Sequence, residues 1–208
     1  GKENMGTDSC YTLYMTWDAN SIYFGMLGQN STGGAFLGDN SGVDDSFFVA
    51  IDIDQVPGSG AMSDGYGMIT SFLNQYRPEF VFYFAGGSGW YEWSRWTSNL
   101  AWQWNGWSNA GTYYGWNNPG NYNDEFSIAR SAIESPSAIA VYAWRTKENS
   151  SPIIATWPQA NPKGASGAVG FNWAYRITNL GSGLAPNVVA VAVPVELSRF
   201  EAAIAPKH

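Results

Sequence analysis

Histidine and cysteine are almost missing: the 208 residues hold one of each, His208 and Cys10. One cysteine closes no internal disulfide, and a chain of this length buries a sufficient core without one. Cys10 therefore reads as a buried, inert thiol, with a cross-link to another chain as the alternative. A lone terminal histidine removes Ser-His-Asp and Cys-His catalytic sets, histidine-based zinc sites and haem held by an internal histidine. No haem is expected. Positive charge is scarce too, since 10 Lys and Arg against 17 Asp and Glu leave a formal net charge of −7. No basic run gathers phosphates, which argues against nucleic acid and against an anionic membrane surface. No apolar run is long enough to cross a bilayer, so no membrane insertion is expected. The chain opens Gly1-Lys2-Glu3 instead of Met, which reads as a processed, trimmed or excised product; a signal peptide, if one existed, is already gone. The expected location is secreted or extracellular, with attachment to a cell surface as one form of it.

What is abundant is aromatic and glycine: 11 Trp, 12 Tyr, 11 Phe and 24 Gly. Large rings suit pleated surfaces and glycine suits the turns between strands. Tyr11 to Trp17 alternates, Asp18-Ala19-Asn20-Ser21 is turn chemistry, and Ile22 to Leu27 resumes, so the pair reads as an antiparallel hairpin. Gly28 to Asp45 is loop. Ser46 to Ile53 follows as a strand with Phe47, Val49, Ile51 and Ile53 on one face. Within Pro57 to Pro78, Ile69, Phe72, Leu73 and Tyr76 recur at helical spacing, predicting a short helix over Met68 to Tyr76 that lies as a lid over one edge. Phe80, Phe82 and Phe84 alternate with Val81 and Tyr83, and an aromatic meander runs from Trp90 to Trp116. Further strands are expected at Tyr122 to Ile128, Ala138 to Trp144, Ile153 to Trp157, Val169 to Ile177 and Val188 to Val195, the last as an interior strand. The expected fold is all-β, a two-layer antiparallel β-sandwich of jelly-roll-like form with one or two short helical turns. It forms one domain over residues 1–208, with residues 1–9 as a flexible N-terminal arm and 196–208 as a C-terminal tail.

Leu13-Tyr14-Met15-Thr16-Trp17-Asp18-Ala19-Asn20-Ser21-Ile22-Tyr23-Phe24-Gly25 resembles the opening hairpin of family 9-type carbohydrate-binding modules. Related domains are the C-terminal domains of glucodextranase-like enzymes and the dopamine-monooxygenase N-terminal-like (DOMON-like) superfamily. Phe47 to Asp54 with its Ile51-Asp52-Ile53-Asp54 ending, Pro78-Glu79-Phe80, Trp90-Tyr91-Glu92-Trp93 and Asn123-Asp124-Glu125-Phe126-Ser127-Ile128 follow in the same order. The resemblance covers roughly residues 11 to 157 and departs after Ile128, where Ala129-Arg130 replaces an expected proline. It implies a β-sandwich and structural calcium, in a superfamily that includes sugar binders, haem binders and surface modules.

Six indoles, Trp90, Trp93, Trp96, Trp102, Trp104 and Trp107, crowd one short stretch. An indole is a flat platform for the C–H face of a sugar ring, and polar neighbours then bond its hydroxyls. Strand parity places Trp102 and Trp104 together and predicts both inward. The candidate ligand-binding residues are therefore Trp90, Trp93, Trp96 and Trp107 with Glu92, Arg95 and Asn105. The second cluster is acidic. Asp39, Asp44 and Asp45 lie in the Gly/Asn-rich loop, and Asp52 and Asp54 share one side of the next strand. Oxygen ligands of this kind suit Ca²⁺, so Asp44, Asp45, Asp52 and Asp54 are the candidate metal ligands, with a solvated loop as the alternative. For glycoside hydrolysis only Glu79, Glu92, Asp124 and Glu125 are nominal candidates, and a sandwich offers these as surface or turn residues. The expected function is a non-catalytic extracellular module that binds polysaccharide through exposed Trp and Tyr, and not an enzyme. The alternative is a surface-layer, adhesin or filament subunit that self-assembles or joins neighbouring surface proteins through strand and aromatic contacts, with the termini completing a neighbour's sheet.

Overall fold

The computed structural model describes residues 3–9, 11–28, 46–85, 90–105, 111–118, 121–146, 152–165, 167, 169–181 and 188–192. Its strands are β1 (Glu3–Asp8), β2 (Tyr11–Trp17), β3 (Ser21–Gly28), β4 (Ser46–Asp52), β5 (Ile69–Phe72), β6 (Phe80–Ala85), β7 (Trp90–Trp96) and β8 (Trp102–Trp104). These are followed by β9 (Gly111–Asn118), β10 (Asn121–Ala129), β11 (Ile139–Thr146), β12 (Ile153–Trp157), β13 (Val169–Phe171), β14 (Trp173–Ile177) and β15 (Val188–Ala192). One sheet has the order β1-β2-β3-β10-β9, the other β15-β14-β11-β4-β6-β7-β8 with β12 also paired to β11. The ladders of both sheets are antiparallel. The architecture is the expected all-β sandwich.

The first hairpin forms as its alternation dictates. The Asp18 carboxylate accepts the amide N–H of Asn20 at 2.7 Å and of Ser21 at 2.8 Å, which closes the turn. Leu13, Met15, Ile22, Phe24 and Met26 then face inward with Phe126 and Ile128 of β10. They meet Phe47, Val49, Ile51, Phe80, Phe82, Phe84 and Val141 from the other sheet, and Phe24 stacks on Phe126 with centroids 5.0 Å apart.

Three elements depart from the sequence expectation. Residues 3–8 are no flexible arm but a paired strand, from Glu3 opposite Met15 to Asp8 opposite Tyr11. Its register shifts between Asn4 and Gly6, where Gly6 takes φ +109°. A bulge of this kind bends an edge strand, and here the freed Gly6 carbonyl accepts the Trp157 indole N–H at 3.0 Å. Over Met68 to Tyr76 no helix forms: Ile69–Phe72 is a strand, paired in parallel with β13. Ile69, Phe72 and Tyr76 are buried against a sheet while Leu73 stays exposed, so the spacing reflects a covering segment and not a helix. The helical turn that does form among the described residues is a 3-10 turn at Arg130–Ile133. Finally, β15 sits at one end of its sheet's described strand order and not in the interior.

The larger sheet is covered on its outer face as well. Phe48, Ala50, Val81, Ala140, Tyr142 and Trp144 point away from the sandwich core and pack under Met68, Ile69, Phe72, Tyr76, Val169 and Phe171. That explains why every residue of β4 and β11 is buried. Residues 53–79, between β4 and β6, are thus a third layer, a cover over a sheet face and not a lid at an edge.

Candidate functional site

Strand register sorts the tryptophans of the β7–β8 edge onto two faces. Ser94 lies opposite Trp104, Arg95 opposite Gln103 and Trp96 opposite Trp102. Alternation therefore gives the outer face Glu92, Ser94, Trp96, Trp102 and Trp104, and the inner face Trp93 and Arg95. Trp93 packs inward, its ring 5.9 Å from Phe80 and 6.0 Å from Phe82, both stacked. The Arg95 guanidinium pairs with Glu134 and lies 5.7 Å from the Phe80 ring. Both residues are structural neighbours of the core, on the opposite side from the outer indoles.

On the outer face Trp96 meets Trp102 edge-on, centroids 5.5 Å apart at 68°. The cover fixes Trp102: its indole N–H donates to the Ser63 carbonyl at 2.9 Å. Gly65, at φ +76°, runs so close beneath the indole that a Cβ there would stand 2.6 Å from it. Only glycine suits that position. The loop itself is built on buried Asp64, whose carboxylate accepts the amides of Tyr66 at 3.0 Å, Gly67 at 2.9 Å and Ile69 at 3.0 Å. Burial pushes that carboxyl up to about 6, against the opposing pull of these amide bonds.

Trp104, expected inward, is 58% exposed. Its indole N–H donates to Glu92 Oε2 at 3.2 Å, so an outward ring is held by a neighbouring carboxylate. The Asn105 side chain donates to the Gln103 carbonyl at 3.1 Å, and its amide to the Trp93 carbonyl at 2.9 Å. Of the residues proposed from sequence, Trp96, Glu92 and Asn105 thus lie at this edge, the first two on the outer face. Trp90 belongs to β7 by its backbone, and its side chain and all of Trp107 lie outside the described residues. Strand alternation had paired Trp102 and Trp104 correctly, but it does not say which face of an edge strand is the wet one.

The acidic group lies where the cover leaves β4 and returns to β6. One carboxylate oxygen from each of Asp52, Asp54 and Glu79 lies within 4.8 Å of the others, an arrangement able in principle to chelate a divalent ion. Asp44 and Asp45, proposed alongside, lie outside the described residues. Glu79 was missed as a ligand because it is 25 residues beyond Asp54 in sequence and joins the group only through the return of the cover. Burial, then repulsion from Glu79, pushes Asp52 up to about 8. Burial first, with repulsion from Asp54, pushes Glu79 up to about 7.

A shallow groove of about 360 Å³ crosses the outer face of the smaller sheet, lined in part by Tyr14, Thr16, Tyr23, Gly25, Glu125 and Ser127. The Tyr23 hydroxyl donates to Asp18 at 2.8 Å.

Among the described residues no helix is long and apolar enough to cross a membrane. No protein-family model matches the chain, and no curated protein matches it. Two solved structures align with it distantly, both described as a family 9 carbohydrate-binding module from Caldicellulosiruptor kristjanssonii. The one in complex with cellotriose is 13% identical with a TM-score of 0.34, over 67% of this chain and 59% of that chain. The one in complex with glucose has the same identity, 13%, and TM-score, 0.34, over 70% of this chain and 64% of the other. The aligned region thus spans less than two thirds of either module.

Proposed function

We propose that the chain is a non-catalytic extracellular module that binds polysaccharide at the outer face of the β7–β8 edge. The observation that carries this reading is Trp104, an indole left outward on a short strand and oriented by Glu92. Trp96, Trp102 and Trp104 share one outer face, and apolar side chains grouped in this way mark interaction sites. A ring fixed before a ligand arrives loses little entropy on binding. Trp96 and Trp102 extend the aromatic surface, while Glu92 and Asn105 supply groups for sugar hydroxyls. Calcium, in this reading, is structural and not a sugar ligand.

Partition onto insoluble glucan, xylan and mannan tests the proposal, with Trp104→Ala and Trp93→Phe compared with the parent chain. Loss of retention in the first variant alone supports the outer-face site. Equal retention of the parent and Trp104→Ala, or none by either, removes it. The same β8 lies at one end of its sheet's described strand order, which favours assembly with neighbouring surface proteins as the second reading. Concentration-dependent assembly without sugar is its signature.

A further inference from the structure

Gly25 stands in the middle of β3, and neither its backbone nor its packing calls for a glycine. Its register is unshifted against both β2 and β10, so no bulge requires it. Its φ lies outside the left-handed region that favours glycine, and a Cβ there would meet nothing within 4 Å. A glycine inside a strand weakens it, and one that no bulge or close packing demands marks a place that something else approaches.

The register shows what surrounds it. Gly25 lies between Tyr14 of β2 and Glu125 of β10, its direct partners on either side. Neighbouring strands run about 4.8 Å apart, so these two side chains rise about 10 Å from each other with only backbone between them. Two residues back along β3, on the same face, Tyr23 closes one end of the notch, flanked by its own partners Thr16 and Ser127. These six residues line the groove of about 360 Å³. Tyr23 is anchored through its hydroxyl to Asp18 at 2.8 Å. The amides of Asn20 and Ser21, and then that hydroxyl, hold the Asp18 carboxyl below its usual value, so it stays ionised.

The groove carries charge of one sign. Glu125 is exposed at its wall and Asp18 stands behind Tyr23, while no described Lys or Arg lines it. Neither ion pair among the described residues includes Glu125. Arg130 reaches the Asp18 turn but donates to the backbone carbonyls of Asp18, Leu180 and Pro136. Tyrosine rings and a carboxylate around an open floor draw a cation by two attractions at once, the ring quadrupole and a charge-assisted bond. An anion meets repulsion there, and a neutral group forgoes both gains.

We infer that this groove is a second binding site, for a small organic ammonium ion seated over Gly25 between Tyr14 and Glu125. Glu125 pairs with the ammonium, the Tyr14 and Tyr23 rings flank it, and the hydroxyls of Thr16 and Ser127 serve the polar part of its carrier. The site lies on the smaller sheet, on the opposite outer face of the sandwich from the β7–β8 edge, so it does not rest on the glycan reading.

The test is an NMR titration of the ¹⁵N-labelled full chain with choline and with glucosamine, each beside a neutral counterpart, 3,3-dimethylbutan-1-ol and glucose. The two probes separate a quaternary ammonium from a primary one carried on a sugar ring. At least one should shift the amides of Tyr23, Gly25 and Glu125 saturably, with its neutral counterpart about fivefold or more weaker. Gly25→Thr fills the floor and should lose binding while melting no lower than the parent. Glu125→Gln should weaken the ammonium probe about tenfold and erase its advantage over the neutral counterpart. Should Gly25→Thr fail to fold, the exposed Glu125→Gln decides. No saturable shift with either ammonium, a neutral counterpart that binds as tightly, or Glu125→Gln binding like the parent would each overturn the site.

Discussion

Taking the metal-free protein from about pH 5 to about pH 7 should weaken it, the reverse of ordinary acid denaturation. Asp52 is the reason. Its carboxyl is pushed from the ordinary 3.8 up to about 8 by burial and by the nearby Glu79. In the unfolded chain it ionises near pH 4, so across this window the folded state holds a proton that the unfolded state has lost. Stability from a group raised in this direction is complete below the unfolded value and declines until the folded value is passed. The slope is about 1.4 kcal/mol per pH unit for one such group, or about 2–3 kcal/mol over the window. Glu79, pushed up to about 7, steepens the lower half. Urea denaturation followed by tryptophan emission in EDTA at three or four pH values measures the effect. Asp52→Asn should flatten the profile by about 1 kcal/mol per unit, and calcium should flatten it in the parent. Parallel profiles for the parent and Asp52→Asn, or a parent that gains stability across the window, would refute the reasoning.

Other perturbations separate packing from binding. Phe24→Ala removes a ring stacked on Phe126 in the sandwich core and should cost about 3–5 kcal/mol by urea melts. Trp104→Ala, on an exposed edge, should change stability by less than about 1 kcal/mol in the same assay. Gly25→Thr should stabilise by about 0.5–1 kcal/mol, since Gly25 lies mid-strand in an unshifted register and a Cβ there meets nothing within 4 Å. A destabilised Gly25→Thr would mean that the groove is closer packed than the described residues show.

The sandwich was legible because alternation is a local signal. Leu13, Met15, Phe47, Val49, Ile51, Phe80, Phe82 and Phe84 all face the core their spacing assigned. What sequence could not show was the third layer. Ile69, Phe72 and Tyr76 are buried where β5 and the chain after it lie on a sheet face, and burial against that face leaves them at a spacing that a helix would also give. The tryptophan edge was half legible for a related reason: parity separates Trp93 from Trp96, but which side meets solvent depends on where the cover ends. Glu79 was hidden by distance along the chain, since the strand that carries Asp52 gives no hint of which segment returns beside it.

The most direct measurement is titration of the intrinsic tryptophan emission of the parent and Trp104→Ala with soluble β- and α-glucans, xylan and mannan, with light scattering on the same samples. The account predicts a monomeric particle whose emission shifts saturably with one glycan, and a Kd weakened about thirtyfold or more in Trp104→Ala. Emission indifferent to every glycan, in a protein that scatters as large assemblies, would contradict it.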